Sequence, residues 1–218
     1  MPRILLLSAT KAEIEPCLQF LQNFKTHLPN QYKLKKIELE LCISGAGMVK
    51  TAFELGALKS RSFNLAIQAG IAGSFGTYAV GELLRVDEDR FSELGAENGD
   101  EFMSMDELGL GEQEQKLLYP YRHPFLCQLK KAKGITVNQV HGNSTSIQKI
   151  MARFHPDAES MEGAAFIYAA NHCGWPALQL RAVSNLVEKR DRSKWNIPLA
   201  VKNLNDFLIQ FLKSLDEN

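Results

Sequence analysis

Neither sign of charge is in excess in this chain. Its 25 Lys and Arg are matched by 25 Asp and Glu, and no basic run stands out. That excludes the electrostatic footprint of a nucleic-acid binder or of a protein held on an anionic membrane. Long apolar stretches are also missing. The opening run Ile4-Leu5-Leu6-Leu7 is too short for a signal-peptide core and is soon followed by Glu13 and Glu15. No other run approaches the roughly 20 residues needed to cross a bilayer. A cytoplasmic protein is the expectation. Cys17, Cys42, Cys127 and Cys173 show no C-x-x-C spacing, and no two of the five histidines stand at metal-site spacing. Reduced thiols, no metal and no cofactor are therefore expected. Asn143-Ser144-Thr145 matches a glycosylation acceptor but, without a secretory signal, reads as a turn. A small-molecule partner remains.

What is present is enough apolar residue for one substantial core: 45% of 218 residues are hydrophobic, which fits one α/β domain spanning residues 1–218. Ile4 to Leu7 predicts a buried strand, and Ile14, Cys17, Leu18, Leu21 and Phe24 recur at helical spacing after it. Thr10-x-x-Glu13 matches a capping box, so a helix cap is one role open to Glu13. Ile37, Leu39, Leu41 and Ile43 alternate as in a strand. Ser44-Gly45-Ala46-Gly47 then turns into a helix carrying Val49, Ala52, Phe53 and Leu55. Leu65 to Ala69 predicts another strand, followed by a glycine-rich loop from Gly70 to Gly76. Leu83 to Val86 predicts a short strand, and the acidic stretch from Asp87 to Gly111 a long loop over a site or an oligomer contact. Ile135 to Val140 predicts a strand leading into His141-Gly142-Asn143 and a helix with Ile147, Ile150, Met151 and Phe154. From Leu199 to Leu215 the pattern is an amphipathic helix packed on the sheet.

The chain is organised around Asp157-Ala158-Glu159-Ser160-Met161-Glu162-Gly163, answered by Arg181-Ala182-Val183-Ser184-Asn185. Glu162 falls at the first turn of an apolar helix, where free N–H groups and the helix dipole favour a carboxylate. Ala177 to Val183 predicts a buried strand delivering Ser184 and Asn185 at its carboxyl end, the end where open α/β sheets bind ligands. Arg181 inside that strand requires a partner. Neither glycine stretch meets a nucleotide fingerprint: Lys50 stands where a Rossmann motif needs its third glycine, and there is no Gly-Lys-Thr.

Ala9-x-x-x-Glu13, Ser44-Gly45-Ala46-Gly47, Ala69-Gly70-Ile71-Ala72-Gly73 and the pair Met161-Glu162 with Ser184-Asn185 occur in one order. With these four stretches the chain resembles the nucleoside phosphorylase and nucleosidase superfamily over nearly its whole length. Within it, Ser184-Asn185-Leu186-Val187-Glu188-Lys189-Arg190 and Trp195-Asn196-Ile197-Pro198-Leu199-Ala200 resemble the C-terminal signature of the futalosine hydrolase family, nucleosidases of the alternative menaquinone pathway. The resemblance implies a three-layer αβα sandwich with a central mixed, partly closed β-sheet, working as a homodimer or homotetramer. It implies Glu162 on the ribose hydroxyls, Met161 on the sugar face, and Ile71, Ala72 and Gly73 lining the substrate. Arg181 and Glu13 would hold the attacking water, with Glu13 accepting its proton and serving as the expected partner of Arg181.

Two departures from the superfamily pattern bear on the chemistry. Its phosphorylases carry an arginine and a serine where this chain has Gln68 and Ile71. Without such donors a phosphate nucleophile is not held, and water is expected instead. Its adenosine-type nucleosidases carry an aspartic acid where this chain has Asn185. An amide cannot act as that acid, but its adjacent donor and acceptor suit the oxygen and protonated N7 of a 6-oxopurine, so hypoxanthine is the expected leaving base. Asn185 as a mere strand-end turn residue is the structural alternative. Glu188 to Trp195 reads either as a solvated loop or as the holder of the carboxyphenyl ketone of futalosine, with Arg190 or Arg192 on the carboxylate and Trp195 stacked on the ring. The rival functions are a methylthioadenosine-type nucleosidase, which should carry an acid at 185, a purine nucleoside phosphorylase, and a nucleoside-binding protein without turnover.

Overall fold

The structure, a computed structural model, describes residues 1–217. β1 (Arg3–Ser8) is the apolar run seen in the sequence. A 3-10 turn (Lys11–Ile14) and α1 (Glu15–Leu21) follow it, then β2 (Gln31–Lys33), β3 (Glu38–Ile43) and α2 (Met48–Ala57). β4 (Leu65–Ser74), β5 (Leu83–Phe91), the hairpin β6 (Gly95–Asn98) and β7 (Glu101–Ser104), and β8 (Glu114–Lys116) come next. The last part comprises β9 (Lys130–Thr136), α3 (Ser144–Phe154), β10 (Ala158–Ser160), α4 (Gly163–Cys173), β11 (Ala177–Leu186) and α5 (Ile197–Glu217).

β4 pairs with β11 in parallel, β11 with β5 antiparallel, β5 with β9 in parallel, and β9 with β10 in parallel. β10 then returns to β4 antiparallel, closing these five strands into a barrel. β1, β3 and β2 extend the sheet outward from β4. Helices cover both faces, and the alternation of side chains along β1 shows the layering. Ile4 and Leu6 pack with Leu18 and Leu21 of α1 and Leu204, Leu208 and Phe211 of α5. Leu5 and Leu7 face the other way, against Leu55 of α2 and Phe166 and Ile167 of α4. The expected three-layer arrangement around a mixed, partly closed sheet is what the chain forms.

Three local expectations are corrected. The stretch from Gly70 to Ser74 is not a loop but the continuation of β4. The strand expected at Ile135 to Val140 is shifted towards the N-terminus, ending at Thr136. Within 87–111, β5 runs on to Phe91 and a hairpin follows, because Asp89 and Arg90 pair with both β8 and β9. The helix expected after Gly47 forms as α2; only Thr51 and Leu55 on it are buried, and Val49 and Phe53 are 75% and 74% exposed.

A buried carboxylate sits inside the barrel. Asp89 accepts from Gln179 Nε2 at 2.9 Å and Thr136 Oγ1 at 2.8 Å. Burial nonetheless pushes its carboxyl up from the ordinary 3.8 to about 6, against the lowering effect of those bonds and of Arg181. A carboxyl whose pKa is raised on folding stabilises the fold below its unfolded value and loses that contribution as pH rises through about 6. Asp89→Asn should therefore be more stable than the parent at pH 7, by on the order of 1–3 kcal/mol, with the gap closing towards pH 4. The free Oε1 of Gln179 can receive the new amide. Urea unfolding at the two pH values checks this, and a gap that is the same at both would refute it.

Candidate active site

Three chain segments bring charged groups to the carboxyl ends of β1, β4 and β11. Glu162 is the N-cap residue of α4, whose first amides are held by side chains: Gly163 N donates to Ser160 Oγ at 3.3 Å and Ala164 N to Thr136 Oγ1 at 2.7 Å. This fixes Glu162, which is 5% exposed. Its Oε1 accepts from Gly47 N at 3.0 Å, so the Ser44 to Gly47 turn works as a backbone donor. Its Oε2 lies 3.4 Å from Arg181 Nη1. Arg181 projects from β11, is 2% exposed, and leaves Nε and Nη2 without partners among the described residues. The expected pairing of Arg181 with Glu13 is thus corrected: its ion pair is with Glu162.

Glu13 lies in the 3-10 turn after β1. Oε2 accepts from Thr10 N and Thr10 Oγ1, both at 2.9 Å, and from Ser8 Oγ at 3.4 Å. Oε1 accepts from Ile71 N at 3.1 Å. The cap predicted from Thr10-x-x-Glu13 is present, and the same carboxylate reaches across to β4. Its backbone is pinned from α5 by Asn205, whose Nδ2 donates to Glu13 O at 2.8 Å while Oδ1 accepts from Cys17 N at 3.0 Å.

Gly70 lets these groups converge. Its backbone is ordinary extended strand, so the requirement is steric: a Cβ there would sit 2.5 Å from Arg181 Nη1 and 2.9 Å from Glu13 Oε1. Both carriers are tethered and cannot swing away cheaply. Gly70→Ala is expected to cost about 1–3 kcal/mol of stability through overpacking and to lower kcat by separating the two groups. Denaturant unfolding with parallel kinetics checks it, and an unchanged midpoint and rate would contradict the convergence.

At the end of β11, Asn185 Oδ1 accepts from Ser184 Oγ at 2.7 Å and Nδ2 donates to Leu186 O at 2.8 Å, leaving one N–H and one lone pair for a ligand. The single hydroxyl hydrogen of Ser184 is shared between Asn185 Oδ1 and the more distant Ala72 O at 3.2 Å, and Asn185 pairs with Gly73 in the sheet. Met161 packs among Ile135, Val137, Ile150 and Phe75. The guanidinium of Arg190 lies over the Trp195 ring at 4.8 Å, and the backbone of Asn196 donates to Ser184 O, so this loop folds back on the site. The sequence reasoning missed Glu159 and His141, which form a pair at 2.6 Å beside Asn185. The signal was a third carboxylate in Asp157 to Glu162 and a histidine just before a helix N-cap.

The family model for the phosphorylase superfamily matches residues 3–213. Futalosine hydrolase from Streptomyces coelicolor is 36% identical over 182 residues, 77% of this chain and 75% of that protein. Its counterpart from Acidothermus cellulolyticus is 29% identical over 212 residues, 92% and 86% of the two chains. Among solved structures, futalosine hydrolase of Helicobacter pylori superposes with a TM-score of 0.81 over 98% of each chain at 16% identity, a likeness of fold. The chain belongs to the phosphorylase superfamily and, within it, to the family of the futalosine hydrolases.

Proposed function

We propose that the chain cleaves the N-glycosidic bond of futalosine with water, releasing hypoxanthine and dehypoxanthine futalosine. The observation that carries the choice of water is the state of positions 68 and 71. Gln68 is buried and uncharged, and the amide of Ile71 is committed to Glu13, so neither offers a phosphate the clustered donors it requires. In this mechanism Arg181 turns its unpartnered Nε and Nη2 towards the water, and Glu13 accepts the water's proton as oxygen adds to the anomeric carbon. Glu162, already held by Gly47 N and Arg181, directs its remaining lone pairs to the ribose hydroxyls, with Met161 against the sugar face. Ile71, Ala72 and Gly73 border the base and sugar. Asn185 donates to the purine oxygen and accepts from N7–H with the hydrogen and lone pair it has free. Trp195 covers the 5′ group, and its Arg190 neighbour meets the carboxylate.

The working state is a cytoplasmic homodimer or homotetramer. Exposed Val49 and Phe53 on α2, with Tyr168 on the neighbouring α4, support association. No helix among the described residues is long and apolar enough to cross a membrane. The test is turnover of futalosine, inosine and methylthioadenosine side by side. Futalosine should be cleaved with the highest kcat/KM, and preferential cleavage of methylthioadenosine would overturn the assignment.

A further inference from the structure

We infer that Asp89 and Gln179, buried beneath the catalytic cluster, are positioning residues that set the charge balance between Arg181 and Glu162. The inference rests on the hydrolytic reading above and extends it to two side chains below the sugar site. Gln179 stands two residues before Arg181 on β11, so both side chains leave the same face of the strand. Its Nε2 donates to Asp89 Oδ2 at 2.9 Å, and Thr136 Oγ1 donates to Asp89 Oδ1 at 2.8 Å. Thr136 gives its one hydroxyl hydrogen to Asp89, which leaves a lone pair to accept from Ala164 N at 2.7 Å. Asp89 is thereby tied to the first turn of α4, whose N-cap residue is Glu162. Gly163, next to Glu162, lies directly on the pair: a Cβ there would collide with Asp89 Oδ2 and sit 2.7 Å from Gln179 Nε2.

Few charges face Asp89. β11 supplies Arg181, whose positive charge favours the carboxylate. α4 supplies Glu162 at its cap, and the residues that follow, Gly163 to Ile167, are uncharged. β9 contributes Gly134 and Thr136, and β8 sets Gln115 opposite. Glu88 and Arg90, the neighbours of Asp89 on β5, take their charges to Lys116 and Glu114 of β8. Arg181 is therefore balanced by two buried carboxylates, Glu162 in contact and Asp89 through the interior.

The consequence is electrostatic. As the C1′–N9 bond breaks and its electron pair enters the purine, the sugar gains positive charge beside Glu162. With Asp89 ionised, part of the Arg181 charge is balanced from below, and more of the Glu162 charge is left for the sugar. An ionised Asp89 has no hydrogen to give, so it fixes Gln179 with Nε2 towards itself and Oε1 as the free end, an acceptor without a partner among the described residues. When the charge at 89 is removed, the amide turns and its NH₂ becomes the free end. A donor then stands on the strand face that holds Arg181, whose Nε and Nη2 are themselves unpartnered donors. Gln179 thus carries the charge state of Asp89 to the guanidinium.

The test compares the parent with Asp89→Asn and Gln179→Met, reading kcat/KM for futalosine as a function of pH beside urea unfolding. Burial raises the Asp89 carboxyl to about 6, so the parent's kcat/KM should fall as pH drops through about 6. Asp89→Asn should lack that fall. At neutral pH it should work roughly ten- to a hundredfold below the parent, less than the loss of a donor in direct contact with the reacting groups, while unfolding at higher urea. A purely structural carboxyl would instead give a variant that is more stable and as active as the parent. Gln179→Met removes a hydrogen bond that lowers the Asp89 carboxyl, so it should move the fall to higher pH. A parent-like kcat/KM in Asp89→Asn, a fall near 6 that persists in it, or an unmoved fall in Gln179→Met would overturn the inference. A parent that leaves futalosine uncleaved would overturn the substrate assignment instead, a failure visible before any variant is made.

Discussion

Glu13→Gln is expected to lose roughly a hundred- to ten-thousandfold in kcat, the range for removal of a general base, while still binding futalosine. The surroundings of Glu13 make the experiment discriminating. Its Oε2 receives Thr10 N, Thr10 Oγ1 and Ser8 Oγ, whereas Oε1 receives Ile71 N. A glutamine keeps its oxygen in the richer position, so the cap survives and the amide NH₂ faces Ile71 N. That donor-to-donor contact costs about 1–3 kcal/mol and leaves a folded protein. If Glu13 were only a cap, the variant would lose stability and keep its turnover per folded molecule. Equilibrium unfolding with kcat and KM separates the cases: the catalytic role predicts that kcat collapses far more than stability accounts for.

Asn185→Asp is expected to move base preference from oxo to amino. In the parent, Nδ2 donates to Leu186 O and Oδ1 accepts from Ser184 Oγ. The aspartate keeps the serine bond but places an acceptor against the Leu186 carbonyl, and a second acceptor against the oxygen of hypoxanthine. A buried unpaired acceptor costs about 1–3 kcal/mol, so kcat/KM for futalosine should drop roughly ten- to more than a hundredfold. Aminofutalosine should gain at least partly, because its 6-amino group finds an acceptor and a carboxyl that takes up a proton to satisfy Leu186 O can also serve as an acid. The measured quantity is the ratio of the two kcat/KM values in parent and variant. An unchanged ratio with both substrates cleaved would show that Asn185 does not read the base.

The parallel strands were legible because they are buried on both faces and therefore appear as continuous apolar runs, as at Ile4 to Leu7 and Ala177 to Val183. The glycine run of β4 misled for a physical reason: its small residues make room for Arg181 and Asn185, which arrive from β11, and for Glu13, which arrives from the 3-10 turn after β1. That is a tertiary requirement written in residues that locally favour turns. Glu13, Glu162 and Arg181 were named from motifs, but the partner expected for Arg181, Glu13, was the wrong one: its ion pair is with Glu162. Which carboxylate Arg181 meets follows from how α4 and the 3-10 turn pack onto the closed barrel, and no local pattern encodes it. His141 and Glu159 are 18 positions apart and meet only because β10 pairs beside β9. Val49 and Phe53 satisfy a helical apolar pattern yet point outward. Periodicity marks an apolar face without telling whether this chain or another copy covers it.

The proposed nucleophile is water, held at the Glu13, Arg181 and Glu162 cluster. The most direct test follows futalosine in phosphate-free buffer and again with added phosphate, identifying both products by chromatography and phosphorus NMR. Hydrolysis by water predicts hypoxanthine and a free sugar product at the same rate in both. A sugar 1-phosphate, or cleavage that requires phosphate, would contradict it.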